Sequence, residues 1–220
     1  MAGFTTALPT SLKAELPQAA HCFAATQTPT GTSTNASPTV TAMSSVAGLV
    51  VGMGVSGTNI AAGSVIASID STTQITLSKN ATGANGGLTC TGDAFKIALG
   101  IASPAGTYGA ATTNYSNLTG NSDEVSGTGY TAGGQALSAN ISPNTSGTQA
   151  FWQWSANPSW TSATFSTSGC LIYNTAARLA GTTGRAVYVG SFGGTQTVTA
   201  GTFTVLQPTN GAGTSLLQLN

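Results

Sequence analysis

Few side chains in this 220-residue chain could do chemistry, and their spacing limits what that chemistry could be. The only histidine, His21, stands beside Cys22, and these two residue types serve as base and nucleophile in many enzymes. Neighbours in sequence usually point apart, however, and no acid stands beside them to orient the ring. The one acidic pair, Asp123 and Glu124, is also adjacent, so its carboxylates should diverge on a strand. We therefore expect neither pair to act as a nucleophile or an acid–base dyad, although the acids could attract a cation or an arginine.

The three cysteines give no framework for a disulfide or a metal site. Cys22, Cys90 and Cys170 are odd in number, far apart and without a Cys-x-x-Cys pair. We predict buried free thiols, although Cys22 and Cys90 flank one segment and could be neighbours. The sequence thus predicts a protein that is not an enzyme and has no cofactor, no metal and no catalytic residue.

A glycine-rich stretch runs through the middle of the chain. Gly127-Thr-Gly-Tyr130 is followed by neither the lysine nor the helix of a nucleotide-binding loop, so we interpret it as a turn. Gly133-Gly134 separates two extended runs, one beginning at Glu124 and one covering Gln135 to Ile141. Paired glycines between short runs favour a tight hairpin.

The composition indicates a protein that is covered by partners. Five Lys and Arg and five Asp and Glu make only 5% of the chain charged, against roughly 25% in an ordinary soluble domain. With so little charge to oppose association, we expect copies of the chain or another protein to cover much of its surface. The five cations are scattered singly, which disfavours nucleic acid. No apolar run reaches the length of about 20 residues that a membrane span needs, and the N-terminus lacks the pattern of a secretory signal.

One helical pattern precedes a long series of short extended runs. Leucines spaced by three or four predict a helix from Thr10 to Leu16, capped by Thr10 or Ser11 and ended by a bend at Pro17. Lys13 and Glu15 should then face solvent.

A Thr-, Ser- and Pro-rich stretch from residue 26 to 38 leads into a compact β unit. In this unit, alternation places Val65, Ala67 and Ile69 on one face of a strand, and a turn at Asp70 to Thr72 precedes the next strand.

The run from Gly48 to Thr82 includes the segments Gly-Leu-Val-Val-Gly-Met, Val-Ser-Gly-Thr and Ser-Ile-Asp-Ser. In these segments and their spacing it resembles a small β module that recurs in structural and tail proteins of tailed phages. That resemblance implies an exposed addition that serves as a spacer or a contact knob.

Removing residues 28–92 would join the N-terminal helix to the strand pattern that begins at Phe95, so we interpret residues 28–92 as an insertion. Without them the chain resembles a type of small phage virion protein. The resemblance rests on Gly169-Cys-Leu-Ile-Tyr-Asn174, Ala186 to Gly193 and Gly201 to Val205, with Cys170 departing from the alanine usual there. It implies a component of a tailed-phage particle and carries no catalytic residue.

Aromatic and basic residues in the C-terminal half are the candidate contacts. Trp152 and Trp154 lie two apart, with Trp160 close behind, so their rings could form a core, a subunit interface or a platform for carbohydrate stacking. Arg178 and Arg185 flank a turn at residues 181–184 and could either be solvated or bind acidic groups of a neighbouring subunit. The interface candidates are Trp152, Trp154, Trp160, Tyr130, Arg178 and Arg185.

The sequence therefore predicts an all-β fold, an antiparallel, jelly-roll-like β-sandwich with one short N-terminal helix and an inserted small β domain. Residues 1–27 and 93–220 would form the sandwich, and residues 28–92 the insertion. The expected function is that of a capsid decoration or cement protein on the virion surface, made in the host cytoplasm. Its partners would be the major capsid protein lattice and copies of itself as a homotrimer, without nucleic acid or membrane. A tail, neck or fibre-attachment subunit and a glycan-binding module are the alternatives.

Overall fold

The chain is an all-β protein, as predicted. The computed structural model describes residues 2–84, 86–138, 143–178, 181–208 and 216–219. Of these residues, 44% lie in strands and 5% in helices, and the sheets are mainly antiparallel, in keeping with a sandwich. The helices are α1 (Thr10–Glu15) and α2 (Ser116–Gly120). The strands are β1 (Gly3–Phe4), β2 (Thr32–Ser33), β3 (Thr39–Thr41), β4 (Gly54–Ser56), β5 (Ser64–Ser71), β6 (Gln74–Leu77), β7 (Thr89–Thr91), β8 (Phe95–Ile101), β9 (Thr107–Tyr108), β10 (Gln135–Ala136), β11 (Asn144–Ser146), β12 (Gln149–Trp152), β13 (Ser159–Asn174), β14 (Arg185–Thr204) and β15 (Leu217–Leu219).

Contacts divide the chain into two compact units. The main unit comprises the described residues within 1–21, 94–138 and 145–220, and the second unit those within 22–93 and 139–144. The predicted insertion, residues 28–92, lies inside the second unit. Its two ends meet, because the amide of Asp93 donates to the carbonyl of Cys22 and the amide of Cys22 donates to the Asp93 carboxylate.

The main unit is built on a four-stranded sheet with the order β10-β8-β13-β14. β13 and β14 form a long antiparallel hairpin that begins at the pair Asn174 and Arg185. β8 lies between β10 and β13 and is buried on both faces, because Ala98 is as inaccessible as the alternating Phe95, Ile97 and Leu99. One face of the sheet packs on a cluster formed by Ala98, Tyr108, Leu118, Leu171, Tyr173, Ala186 and Val189.

The glycine-rich stretch does not form the predicted hairpin. Its two extended runs pair with the same edge of β8 rather than with each other. Glu124 forms an isolated β-bridge with Gly100, and β10 pairs with Lys96 and Ile97 of β8. Gly134 has a positive φ of 68°, and a Cβ there would lie 1.9 Å from the carbonyl oxygen of Ile97. The close approach of the two backbones therefore requires the glycine, which sequence reasoning had assigned to a tight turn.

The N-terminal segment crosses the main unit and ends in α1. β1 pairs in parallel with β9, and the ring of Phe4 lies against Gly100 and Gly169, where a Cβ would clash with it. The predicted helix is confirmed, but its N-cap is Pro9 without a side-chain cap, so the assignment of Thr10 or Ser11 was wrong. Glu15 was also expected to face solvent and is instead buried, since it lies three residues after the buried Leu12 on the same helical face.

The second unit contains a six-stranded antiparallel sheet with the order β2-β3-β6-β5-β4-β7. Its core consists of buried apolar residues, among them Val40, Met43, Met53, Ile66, Ile75, Leu77 and Cys90. The predicted strands and their turn are present. In β5 the face that carries Ile66 is buried, whereas Ala67 and Ile69, which share the opposite face as predicted, are exposed. A register shift between Ile66 and Ser68 interrupts the pairing of β5 with β6.

The remaining elements are a three-stranded sheet with the order β11-β12-β15 and the short α2. In the part of the chain that the structure describes, none of the helices has the length and apolar character needed to cross a membrane.

Candidate functional site

The adjacent acids Asp123 and Glu124 occupy two different environments, which confirms that they diverge. Asp123 is 1% exposed and accepts three hydrogen bonds. The hydroxyl of Tyr108 donates at 2.6 Å, and the amides of Ala105 and Gly106 donate at 2.8 and 2.7 Å. Burial by itself would raise the pKa of Asp123, but these three donors outweigh it and hold the pKa below the usual value. Asp123 thus fixes the turn that precedes β9.

Glu124 fixes the glycine-rich loop at residues 126–134. The hydroxyl of Tyr130 donates to one carboxylate oxygen at 2.8 Å, and the amide of Gly133 donates to the same oxygen at 2.7 Å. Tyr115 donates to the other oxygen. Burial and the neighbouring Glu124 carboxylate raise the pKa of both Tyr115 and Tyr130. The described partners of this acid are therefore hydroxyl and amide groups rather than a cation or an arginine.

Tyr130 lies at the junction between this loop and the sheet. Its hydroxyl oxygen accepts from the amide of Leu99 at 3.0 Å while donating to Glu124. Its ring packs near Trp160, at a centroid distance of 6.2 Å, and near Phe165, at 5.9 Å. The half-buried tyrosine is therefore an internal anchor in this structure, and its role in a subunit interface stays a prediction.

The three tryptophans lie in the interior of the chain. Trp152, Trp154 and Trp160 are 4%, 1% and 3% exposed. Trp154 packs edge-on against Phe95, and Trp160 lies among aromatic rings of β13 and β14. This placement agrees with the core alternative. No face of these rings is open for a sugar or a partner at the surface of the chain.

Arg185 has a partner within its own chain. Its guanidinium donates to Glu15 at 2.7 Å, and the other oxygen of Glu15 lies 2.8 Å from Nε2 of His21. Nδ1 of His21 lies 3.0 Å from the side-chain nitrogen of Asn174. Sequence reasoning found no acid to orient His21, and the structure supplies Glu15 from six residues earlier. The spacing of Glu15 from Leu12 was the available signal. Arg178 lies in the connection between β13 and β14 and is half-buried.

The three cysteines are buried and free, as predicted. Burial raises the pKa of the Cys90 thiol to about 11 and that of the Cys170 thiol to about 12. Both thiols are consequently protonated at neutral pH, which leaves them weak nucleophiles.

All five acids of the chain accept hydrogen bonds from groups of the same chain. Glu15, Asp93, Asp123 and Glu124 do so in the interior or at its margin. The exposed Asp70 accepts from Ser68 at 2.6 Å and from Thr76 at 2.7 Å, and these bonds lower its pKa. Four of the five carboxylates therefore lie in the interior or at its margin, and Asp70 is the exposed one.

The surface also offers apolar groups, of which Leu206 belonged to none of the sequence patterns. In the described residues, the exposed large aliphatic side chains are Val50, Val51, Ile69 and Leu206, and Leu206 is 75% exposed. Leu206 also lines a cavity of about 190 Å³ in the main unit. Other residues that line it are Ile97, Leu137, Cys170, Ile172 and Phe192, and no charged side chain is among its lining residues.

Neither a metal-ligand arrangement nor a known relative points to a functional site in the described part of the chain. Within the described ranges, no group of three or more His, Cys, Asp or Glu side chains is placed to hold a metal ion. Comparisons with known protein families, with curated proteins and with solved structures find no match for this chain.

Proposed function

We propose that this chain is a structural protein of a tailed-phage particle, and that it decorates and stabilises the capsid. The observation that carries the proposal is that the chain has few charged side chains and that its acids form hydrogen bonds within the chain. The chain has only five acids, and each is hydrogen-bonded within the chain. A surface with so little free charge is poorly protected against association, as suits a protein whose working state is an assembly.

The exposed strand of the long hairpin supports the same proposal. β14 lies at the end of the sheet order, and from Ser191 to Thr204 it carries no charged residue and no proline. Charges and prolines are common means of keeping an edge strand from pairing with another chain. Beyond β14, Leu206 adds an exposed apolar side chain. Contacts through this region would be apolar and uncharged, in line with the lattice and self-association partners expected from the sequence.

The mechanism would be mass action on an assembled lattice. A subunit that binds only the assembled shell stabilises that shell by about 2.7 kcal/mol per site when its free concentration is a hundred times the dissociation constant. Many modest contacts per particle then combine into a large effect. The choice of a phage particle rests on the sequence resemblance of Gly48 to Thr82 and of the C-terminal strands. A homotrimer would be the binding unit.

Reconstitution would test the proposal. Purified protein is added to particles whose genome lacks its gene, and both the bound copies and the temperature at which the shell opens are measured. We expect saturation at a number set by the capsomers and a higher opening temperature.

Leu206→Lys should weaken binding at least tenfold, because it places a charge on the exposed apolar surface. Thr119→Lys adds the same charge at an exposed position of α2, outside β14 and without removing apolar surface, and serves as the control. Binding to tails in small numbers, with none to the shell, would reject the decoration role in favour of a tail, neck or fibre subunit.

A further inference from the structure

The cavity of about 190 Å³ in the main unit lies on one face of the four-stranded sheet. Its floor comes from three neighbouring strands, because Ile97 of β8 pairs with Ile172 of β13, and Ile172 pairs with Tyr188 of β14. Side chains of directly paired residues lie on the same face of a sheet. Residues that alternate with them, such as Leu171 and Val189, pack in the apolar cluster on the opposite face. The cavity is therefore separate from that cluster.

A glycine leaves part of this floor bare. Cys170 and Gly190 are paired on β13 and β14 and both line the cavity. A Cβ on residue 190 would lie 2.9 Å from the Cys170 sulfur and 3.0 Å from the ring of Tyr188. Leu206 lines the cavity and is 75% exposed, so the cavity extends to the surface beside it. The other lining residues outside the strands are Leu137, Pro158, Val205, Gln207, Pro208 and Leu216.

The polar side chains around the cavity have hydrogen-bond partners within the chain. The side chain of Gln207 donates to the carbonyl of Ala156 at 2.7 Å. The Ser191 hydroxyl accepts from the backbone amide two residues later, at 3.2 Å, and the Tyr188 hydroxyl is hydrogen-bonded to the side chain of Thr6. A water in a cavity typically makes about three hydrogen bonds to polar groups that lack other partners. The described lining therefore favours an apolar occupant over water.

We propose that this cavity binds a small, uncharged, apolar molecule of about the size of one substituted aromatic ring. An engineered cavity of roughly 150 Å³ lined by Leu, Ile and Phe stays dry and binds benzene or xenon. The cavity of about 190 Å³ has room for such a ring with a small substituent.

The chemistry of the lining selects against charge. Ile97, Ile172 and Leu137 offer dispersion contacts to a ring, and the Cys170 thiol behaves there as a small apolar group. A charged ligand would lose its hydration without gaining an ionic partner, because none of the described lining residues is charged. The inference does not depend on the proposed function.

Methyl NMR of the natural chain tests the proposal, with toluene as the probe and benzylammonium as a charged molecule of similar size. We expect toluene to shift the methyl resonances of Ile97, Leu137 and Ile172, and the shifts to saturate below its solubility limit. The methyl resonances of Ile66 and Ile75 in the second unit should stay in place, and benzylammonium should shift none of the five. Unshifted lining methyls in toluene, or an equal response to benzylammonium, would overturn the proposal.

Filling the cavity tests where the probe binds. Val205 lines the cavity and is half-buried, so the larger ring of Val205→Phe should occupy part of the space and weaken toluene binding at least tenfold. Val198→Phe makes the same substitution at a half-buried position of β14 that is not among the lining residues, and it should bind toluene as the natural chain does. Equal affinities in all three proteins, or an equal loss in both variants, would overturn the assignment to this cavity. The measurement on the natural chain does not depend on either variant folding.

Discussion

The two units of this chain are stabilised in different ways. In the main unit, buried and half-buried acids fix loops, as Asp123 does for the turn before β9 and Glu124 for the loop at residues 126–134. The second unit relies on an apolar core and on short antiparallel strand pairings. Its buried acid, Asp93, joins its two ends, and its other acid, Asp70, is exposed. The difference implies that the stability of the main unit depends on a few polar residues, whereas the stability of the second unit depends on the packing of its apolar core.

The largest effect should follow the loss of Asp123. Asp123→Ala removes the acceptor of three hydrogen bonds and leaves the buried hydroxyl of Tyr108 without it. We expect the free energy of unfolding of the main unit to fall by about 3–5 kcal/mol, because uncompensated buried polar groups are costly. Chemical denaturation followed by tryptophan fluorescence measures this, since all three tryptophans lie in the main unit.

The pH dependence of Asp123→Ala provides its control. The folded-state pKa of Asp123 lies below the unfolded value of about 3.9, so its contribution is complete above that value and is lost as pH falls through the folded-state pKa. The gap in stability between the natural chain and Asp123→Ala should therefore narrow below about pH 4. A gap that stayed constant down to pH 2 would mean that the ionised carboxylate is not what stabilises the turn.

A core substitution should have the next largest effect, and it should act on the second unit. Ile66 is fully buried, so Ile66→Ala should lower the free energy of unfolding by about 3 kcal/mol through lost burial and a residual cavity. Ile69→Ala, on the same strand but 37% exposed, should change it by less than about 0.5 kcal/mol. Hydrogen exchange of the β5 and β6 amides separates this unit from the rest. Equal losses for the two substitutions would contradict the burial of Ile66.

A smaller effect is expected from Tyr130→Phe. The ring keeps its packing, but the hydroxyl no longer bridges Glu124 and the amide of Leu99. The expected loss is about 1–2 kcal/mol, the range for removing a hydroxyl from a partly buried network. Thermal unfolding measures it. If Tyr130→Phe proved as costly as Asp123→Ala, Glu124 rather than Asp123 would be the principal anchor of the main unit.

The smallest effect should come from Asp70, whose hydrogen bonds lie on the surface. Asp70→Asn keeps one of the two acceptor oxygens that Ser68 and Thr76 use, and because Asp70 is at an exposed position of β5, stability at neutral pH should hardly change. A parallel thermal scan of the natural chain and Asp70→Asn checks this. A clear drop in the unfolding temperature would contradict the difference between the two units, because it would show that the stability of the second unit also depends on a surface acid.

The same difference explains what could be predicted from the sequence. Local patterns predicted the all-β class, the helix that begins at Thr10, and the strands on either side of the turn after Asp70. They did not predict the burial of Glu15 or the shared edge of β8 that the glycine-rich stretch occupies. Each of these depends on a partner that is not local. Glu15, for example, meets Arg185 across 170 positions of sequence.

The tryptophans and Leu206 also show that sequence patterns do not separate core from surface. The spacing of Trp152 and Trp154 indicated that they share a face but left open whether that face was core or surface. The exposed Leu206 gave no signal, because a single leucine among polar residues fits either environment.

The measurement that tests the central claim most directly is the number of copies of this chain in purified particles, relative to the major capsid protein. Quantitative mass spectrometry of the intact virion provides it. A ratio near one, or a simple fraction of the capsomer number, is what a lattice-wide decoration protein predicts. A few copies to a few dozen per particle, or none, would contradict it.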